Sequence, residues 1–384
     1  MKIVLIQLLL FSFFCLGDNP FLIYSTPLIL FLIALSERKH NKVIVNYFLF
    51  FFIIFIYGIS IALLNNNEPT YIINNSAGFF TLLFILSYNK YYNLIFNIKF
   101  LKLISITIFF QIIISFLIVL LTDFEVYNSK NSIITTFLGD FKGGSSTGHL
   151  RLFSVKSVIS IYFSLILYVY YLEKKEYFNS FLFLFFSFIL VILLASKGMI
   201  TGYFFLLLIS FVFTKKSINL VIFLSILMLT FLVFFIQLDL FLLITATFDK
   251  NDIANANRLQ QINYLFKSGF PFGKGFGALI ASEDIRSDTS PYGFELSYYS
   301  YFHKLGLFLL FFIFYPLYIF LKILYMRFFN KIANIDFSII LFSFLYIMPS
   351  VGNPLLFHPY HTFLIVIPIL LFSKKITQNI NNIN

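Results

Sequence analysis

The chain has 384 residues, of which 60% are hydrophobic and only 11% are charged, and its mean hydropathy is +0.93. A soluble globular domain carries about 25% charged residues, so this composition excludes a water-soluble monomer. The formal net charge is +11, but the basic residues form small clusters between apolar runs. That distribution excludes nucleic acid as a partner and is typical of membrane-protein loops. The lone Cys15 excludes an intrachain disulfide.

Apolar runs long enough to cross a bilayer recur along the whole sequence, which predicts an all-α polytopic membrane protein. A single transmembrane domain over 1–376 is expected, followed by an unstructured cytoplasmic tail at 377–384. Two large loops are expected at 122–154 and 238–299. Twelve spans are predicted, at about 3–16, 21–35, 43–64, 72–87, 103–121, 155–172, 177–195, 199–213, 217–237, 300–321, 335–350 and 359–373.

The distribution of lysine and arginine predicts the orientation. With both termini in the cytoplasm, almost every short basic cluster falls on the cytoplasmic side, and the short loops opposite contain only Lys197. This asymmetry is the positive-inside pattern. The two large loops then lie on the non-cytoplasmic side of the membrane. No charged residue lies at the centre of a predicted span, which argues against an ion-coupled transporter.

The first large loop ends in a Gly/Ser/Thr run at 143–148, followed by Arg151 and Lys156. Free backbone N–H groups in such a run can form an anion-binding nest, and the planar guanidinium of Arg151 suits phosphate oxygens. The alternative is a flexible loop whose two basic side chains extend to lipid head groups.

The second large loop contains a predicted helix from Asp252 to Lys267. Its apolar stripe would be Leu259, Ile262 and Phe266, and its polar edge would contain Arg258 and Gln261. We expect the helix to lie at the membrane surface with Arg258 directed at a ligand above the bundle. An ordinary surface amphipathic helix is the alternative.

A glycine-rich segment follows, with Gly269, Lys274, Gly275 and Gly277 as its candidate ligand-binding residues. Its spacing matches neither a Walker A loop nor a dinucleotide fingerprint, and no strand precedes it. The glycines predict a close-approach turn whose backbone amides reach an anionic ligand.

Two further groups of ionisable residues flank the last spans. Glu295, Tyr298, His303 and Lys304 lead into the predicted span 300–321, and Glu295 either stabilises a helix start or orients a sugar hydroxyl. His358 and His361 precede the last span as candidate general bases or plain hydrogen-bonding residues. They lack an evident third ligand, so no metal site is predicted.

This arrangement resembles the O-antigen polymerase (Wzy-type) family, within the superfamily that includes the O-antigen ligases. Arg151 closes a glycine-rich outer loop, and Arg258 precedes Gly269 by the family's ten-residue spacing. The sequence Pro271-Phe-Gly-Lys-Gly-Phe-Gly277 is similar to the family's Pro-x-Gly-x-Gly-x-Gly pattern, and Glu295-Leu-Ser-Tyr298 to its Glu-x-x-Tyr. Ser196-Lys-Gly198 departs from the Ser-Arg-Gly of many members.

The resemblance implies a GT-C-like fold and an inverting glycosyltransferase without cofactor or metal. Such enzymes polymerise oligosaccharide repeat units carried on undecaprenyl diphosphate, in a membrane that also holds a chain-length regulator and a flippase. The implied catalytic residues are Arg151, Arg258, Glu295, His358 and His361. The implied substrate-binding residues are Gly269, Lys274, Gly275, Gly277, Tyr298, His303 and Lys304.

Two other functions remain open from the sequence. An O-antigen ligase shares the topology and the lipid-linked donor, but typically has a histidine in the second large loop, and residues 238–299 contain none. A flippase or other transporter of lipid-linked oligosaccharide is compatible with twelve helices, but two large loops and an uncharged interior are not typical of it.

Overall fold

The computed structural model describes ten parts of the chain, at residues 2–16, 20–36, 42–79, 91–122, 155–194, 197–214, 259–265, 271–279, 297–347 and 358–381. Every regular element within these ranges is a helix. The longer helices are α1 (Lys2–Cys15), α2 (Pro20–Leu35), α3 (Lys42–Leu64), α4 (Pro69–Ser76), α5 (Ile98–Thr122), α6 (Val155–Glu173), α7 (Tyr177–Leu194), α8 (Lys197–Thr214), α9 (Ser297–Leu305), α10 (Leu309–Phe328), α11 (Asn334–Ser343) and α12 (Pro359–Asn381). Shorter helical segments lie at 91–95 and 259–265.

Within the described ranges, four segments are long and apolar enough to cross a membrane: Ile44–Leu64, Ile98–Ile118, Tyr177–Leu194 and Tyr298–Phe328. Shorter apolar helices accompany them, and many large apolar side chains remain exposed on the protein surface. Exposed apolar helices of this length are the pattern of a polytopic membrane protein, in which lipid covers the outer surface.

Helix α6 lies at the centre of the bundle. Its side chains from Lys156 to Val169 are all buried, and it packs against α1, α5, α7, α11 and α12. The Ser160 hydroxyl donates to the Ser105 carbonyl of α5 at 3.4 Å, and the Tyr162 hydroxyl donates to a carbonyl of α11 at 3.0 Å. These contacts surround α6 with protein, and its small serine side chains allow the close approach of the neighbouring helices.

The end at which α1 and α3 finish and α6 and α12 begin is called the upper end of the bundle. There, the last carbonyl groups of α1 accept hydrogen bonds from three other helices. Tyr360 of α12 donates to Phe13 at 2.7 Å. Gln111 of α5 and Lys156 of α6 donate to Cys15 at 2.9 and 3.5 Å. Since the final carbonyls of a helix have no partner within it, these side chains complete the end of α1.

The predicted span 300–321 differs from the structure. Helix α9 begins at Ser297, a 3₁₀ turn at Gly306–Phe308 interrupts it, and α10 continues to Phe328. Gly306 has a φ of 58°, a left-handed conformation that an α-helix cannot include. Hydropathy alone does not detect this break.

Other boundaries also differ. The predicted span 72–87 begins as α4, an eight-residue and largely polar helix, and residues 80–90 lie outside the described ranges. The predicted unstructured tail at 377–384 is wrong for 377–381, because α12 continues to Asn381. Three predicted segments fall outside the described residues: the span 217–237, residues 123–154 of the loop 122–154, and most of the loop 238–299.

Helices α3, α6 and α10 end in the same way, with one residue in the left-handed region. At the end of α6, Lys175 has a φ of 62°. Its N–H donates to Leu172 at 3.2 Å, while the N–H of Glu176 donates to Tyr171 at 2.9 Å. This pair of bonds is the Schellman motif, in which glycine is the usual residue at the left-handed position. Lys175 therefore retains backbone strain that glycine would remove.

We predict that Lys175→Gly raises the free energy of unfolding by about 0.5–1 kcal/mol, since lysine is strained in the left-handed backbone conformation and glycine is not. Thermal unfolding in detergent would measure the effect as a higher midpoint. Lys174→Gly is the matched control, because residue 174 is not among those with a positive φ, and it should not raise the midpoint. A lower midpoint for Lys175→Gly would show that the motif tolerates lysine without strain.

Candidate functional site

Residues 271–279, the glycine strap, cross the upper end of the bundle on α3, α4 and α9. Gly273, Gly275 and Gly277 have φ values of 77°, 82° and 74°. A Cβ atom added to Gly275 would lie 2.2 Å from the Ala62 backbone nitrogen, and one at Gly277 would lie 2.7 Å from the Ile72 nitrogen. These glycines therefore permit direct contact between the strap backbone and the helix backbones, whereas the sequence predicted a close approach to an anionic ligand.

The amide groups of the strap do not have the role that the sequence predicted. They donate to protein carbonyl groups, and α9 returns one bond to the strap. The bonds run from Lys274 N to His303 O (2.8 Å), from Gly275 N to Lys304 O (2.9 Å), from Phe276 N to Gly58 O (3.2 Å), and from Leu307 N to Pro271 O (2.9 Å). The expectation that these amides contact an anion is thus wrong for residues 274–276, because their hydrogen atoms are used in docking the strap.

Docking of the strap brings together two lysines and a histidine. The Lys304 side chain is 1% exposed. Its ammonium donates to the Ser300 hydroxyl at 2.7 Å and lies 5.1 Å from the centre of the Tyr301 ring. His303 is also buried, and the charges of Lys304 and Lys274 both act on its imidazole. The Ser300 hydroxyl and the Tyr301 ring stabilise the buried ammonium, and an anionic ligand would complement the charge of the two lysines.

The short helix at 259–265 packs on this cluster, with the Tyr264 ring 5.7 Å from the His303 ring. Gln261 and Leu265 form its buried face, whereas Leu259 is 53% exposed. The predicted apolar stripe through Leu259 is therefore wrong. The helix turns its Gln261 side toward the protein, and Tyr264 contacts His303 of α9.

His358 and His361 lie at the start of α12, with ring centres 6.3 Å apart. His361 is fully buried. The Nδ1 atom of His358 is buried without a hydrogen-bond partner, and burial lowers the pKa of His358 to about 4. At neutral pH this imidazole is uncharged and is able to accept a proton.

Tyr298, another predicted substrate-binding residue, lines a cavity of about 350 Å³ between α8, α10 and the 3₁₀ turn Phe344–Tyr346. The wall is apolar except for two phenol groups, those of Tyr298 and Tyr346. Its other lining residues include Phe205, Leu206, Pro316 and Phe320.

The structure thus brings Lys274, Gly275, Gly277, His303 and Lys304 together, and places His358 and His361 at the same end of the bundle. Helices α9 and α12, which carry these two groups, each contact α3. Tyr298, in the first turn of α9, faces the cavity. The other four predicted site residues, Arg151, Arg258, Gly269 and Glu295, lie outside the described residues.

Sequence reasoning missed several polar residues at this end. Lys156 does not extend to lipid head groups: it is 1% exposed and donates to the Cys15 carbonyl. Asn65 and Asn67, in the short turn between α3 and α4, donate to carbonyls of the strap. Asparagine in a turn has an ordinary local explanation, so no signal in the sequence identified these long-range bonds.

No match to this chain was found among models of known protein families, curated proteins or solved structures.

We predict that Gly275→Ala releases the strap from α3. The added methyl would overlap the Ala62 backbone and force alanine into a left-handed conformation, which destabilises by more than about 1 kcal/mol. The unfolding midpoint in detergent should fall. Phe272→Ala is the control in the same strap, since that side chain is 71% exposed, and should leave the midpoint nearly unchanged. Equal midpoints for both variants would contradict close packing at Gly275.

Proposed function

We propose that the chain polymerises oligosaccharide repeat units linked to undecaprenyl diphosphate, making O-antigen or capsular polysaccharide by inverting glycosyl transfer. The observation that carries the proposal is the cluster that Lys274 of the glycine strap forms with His303 and Lys304 of α9, at the end of an apolar helical bundle. A lipid diphosphate presents its charge at the membrane surface and its chain to the lipid, and a cationic site at the end of the helices matches that geometry.

The wider architecture belongs to the same proposal. It comprises about twelve spans in a GT-C-like arrangement, both termini in the cytoplasm, and two periplasmic loops at 122–154 and 238–299. The bacterial inner membrane is the proposed location, with a flippase and a chain-length regulator as partners. The strap and the short helix at 259–265 belong to the second loop, so the cationic cluster would be on the periplasmic side.

The reaction needs charge stabilisation on one side of the sugar. The acceptor hydroxyl oxygen forms a bond to the anomeric carbon of the donor, and the bond from that carbon to the diphosphate oxygen breaks. The electron pair of the broken bond goes to the diphosphate, and the hydroxyl proton goes to a base. Lys304 and Lys274, with Arg258 and Arg151 as proposed further cations, would stabilise the charge that develops on the leaving group.

The opposite side of the sugar needs a proton acceptor. His358 and His361 are candidates at the upper end, and Glu295 is the candidate from the second loop. The low pKa of His358 keeps it able to accept a proton at neutral pH, although a base this weak would contribute less than one whose pKa is near 7.

The proposal predicts that Lys304→Met shortens the surface polysaccharide, because methionine retains the apolar stem of lysine and removes its charge. The variant would be expressed in a strain lacking the native gene, with chain length read on a gel. Lys322→Met, at an exposed lysine on α10, is the matched control and should support full-length chains. Arg258→Ala should also shorten the chains. Long chains in both active-site variants, at normal protein levels, would contradict the proposed residues.

The lipid-linked material in the deletion strain separates this function from the two alternatives. Accumulated single repeat units indicate a polymerase, whereas accumulated long lipid-linked polymer indicates a ligase. Purified protein in vesicles tests the transporter: translocation of lipid-linked oligosaccharide without a new glycosidic bond would contradict the enzyme.

A further inference from the structure

Three asparagines at the top of α3 and α4 bind the glycine strap. The Nδ2 group of Asn67 donates to the carbonyls of both Lys274 and Phe276, each at 2.9 Å. Asn65 donates to the Lys274 carbonyl at 3.2 Å, and Asn75 accepts from the Gly277 amide at 3.5 Å. Both carbonyls that flank Gly275 are therefore held by one side chain, that of Asn67.

The position of Asn67 is itself fixed by the backbone. Asn66 has a φ of 55° and ends α3 in a Schellman motif, in which the Asn67 N–H donates to the Ala62 carbonyl at 3.0 Å. Ala62 is also the residue on which Gly275 rests. The same turn of α3 thus supports the strap from below and orients the amide that holds it from the side.

The strap determines where Lys274 lies. On one edge, the Lys274 and Gly275 amides donate to the His303 and Lys304 carbonyls. On the other edge, the carbonyls of residues 274 and 276 accept from Asn67. Lys274 is held between the two, and its charge acts on the His303 imidazole. Loss of the Asn67 side chain would remove two of the hydrogen bonds that fix the path of this glycine-rich backbone.

We infer that Asn67 is a positioning residue, which clamps the glycine strap on α3 and so fixes Lys274 beside His303 in the anion-binding cluster. The chemical meaning of this clamp rests on the proposed function, because Asn67 acts on the substrate only through Lys274. The clamp itself is a property of the fold and is measurable without any activity.

Cysteine labelling measures the clamp directly. Ala278 lies in the strap and is 2% exposed, and the only native cysteine, Cys15, is fully buried. An Ala278→Cys protein should therefore react slowly with a soluble maleimide. Adding Asn67→Asp, which keeps the side-chain shape and removes the donor, should raise the labelling rate about tenfold or more, since the rate follows the population of the open form. Asn74→Asp, at an exposed asparagine of α4, is the control and should leave the rate unchanged.

Chain length tests whether the clamp acts through Lys274. Asn67→Asp and Lys274→Gln should each shorten the polysaccharide, and the double variant should be no worse than Lys274→Gln alone, because residues that act as one unit are not additive. Asn67→Gln, which restores an amide donor, should recover part of the length. Additive shortening, or no effect of Asn67→Asp, would overturn the positioning role.

The labelling experiment and the chain-length experiment test the clamp and the proposed function independently. An unchanged labelling rate in Asn67→Asp would overturn the clamp whatever the protein does. A normal chain length in the gene deletion would overturn the proposed function, and a faster labelling rate in Asn67→Asp would still establish the clamp.

Discussion

The upper end of this protein depends on direct contact between backbones. At Gly273, Gly275, Gly277 and Gly306 no space exists for a Cβ atom, and the nearest atoms are mostly main-chain atoms of neighbouring segments. Side-chain packing can adjust to a substitution by a change of rotamer, but backbone contact cannot. Because the His303 and Lys304 carbonyls are acceptors in the same contact, main-chain hydrogen bonds hold these two residues to the strap.

The sequence predicted helices well where hydropathy alone determines them. Spans such as 43–64 and 177–195 correspond to α3 and α7 within one residue at each end. Hydropathy did not predict the break at Gly306, because lipid-facing and buried segments are equally apolar. For the same reason it did not distinguish α6, which is covered by protein, from helices that face lipid. The position of each helix in the bundle depends on contacts between distant segments, and hydropathy carries no information on these contacts.

The candidate site was predicted by residue type and only partly by arrangement. The glycines of the strap, His303 and Lys304 were identified because charge and glycine are rare in an apolar chain. The spatial arrangement of these residues was not predicted, since it depends on hydrogen bonds between residue 274 and residues 65, 67 and 303. Gln261 was placed on the wrong side of its helix, because the prediction assumed that lipid supports the helix. The helix contacts a polar residue of α9, since Tyr264 lies against His303.

The completed end of α1 has a consequence for the assembly of the protein. Its last carbonyls accept from Gln111, Lys156 and Tyr360, so the earliest described helix is completed in part by the latest one. In the apolar interior of a membrane, an unsatisfied carbonyl is unfavourable by several kcal/mol. The Phe13 carbonyl therefore obtains its Tyr360 donor only after α12 has been synthesised. Insertion of the helices and closure of the bundle are then separate events, and the second cannot finish before synthesis of the last helix.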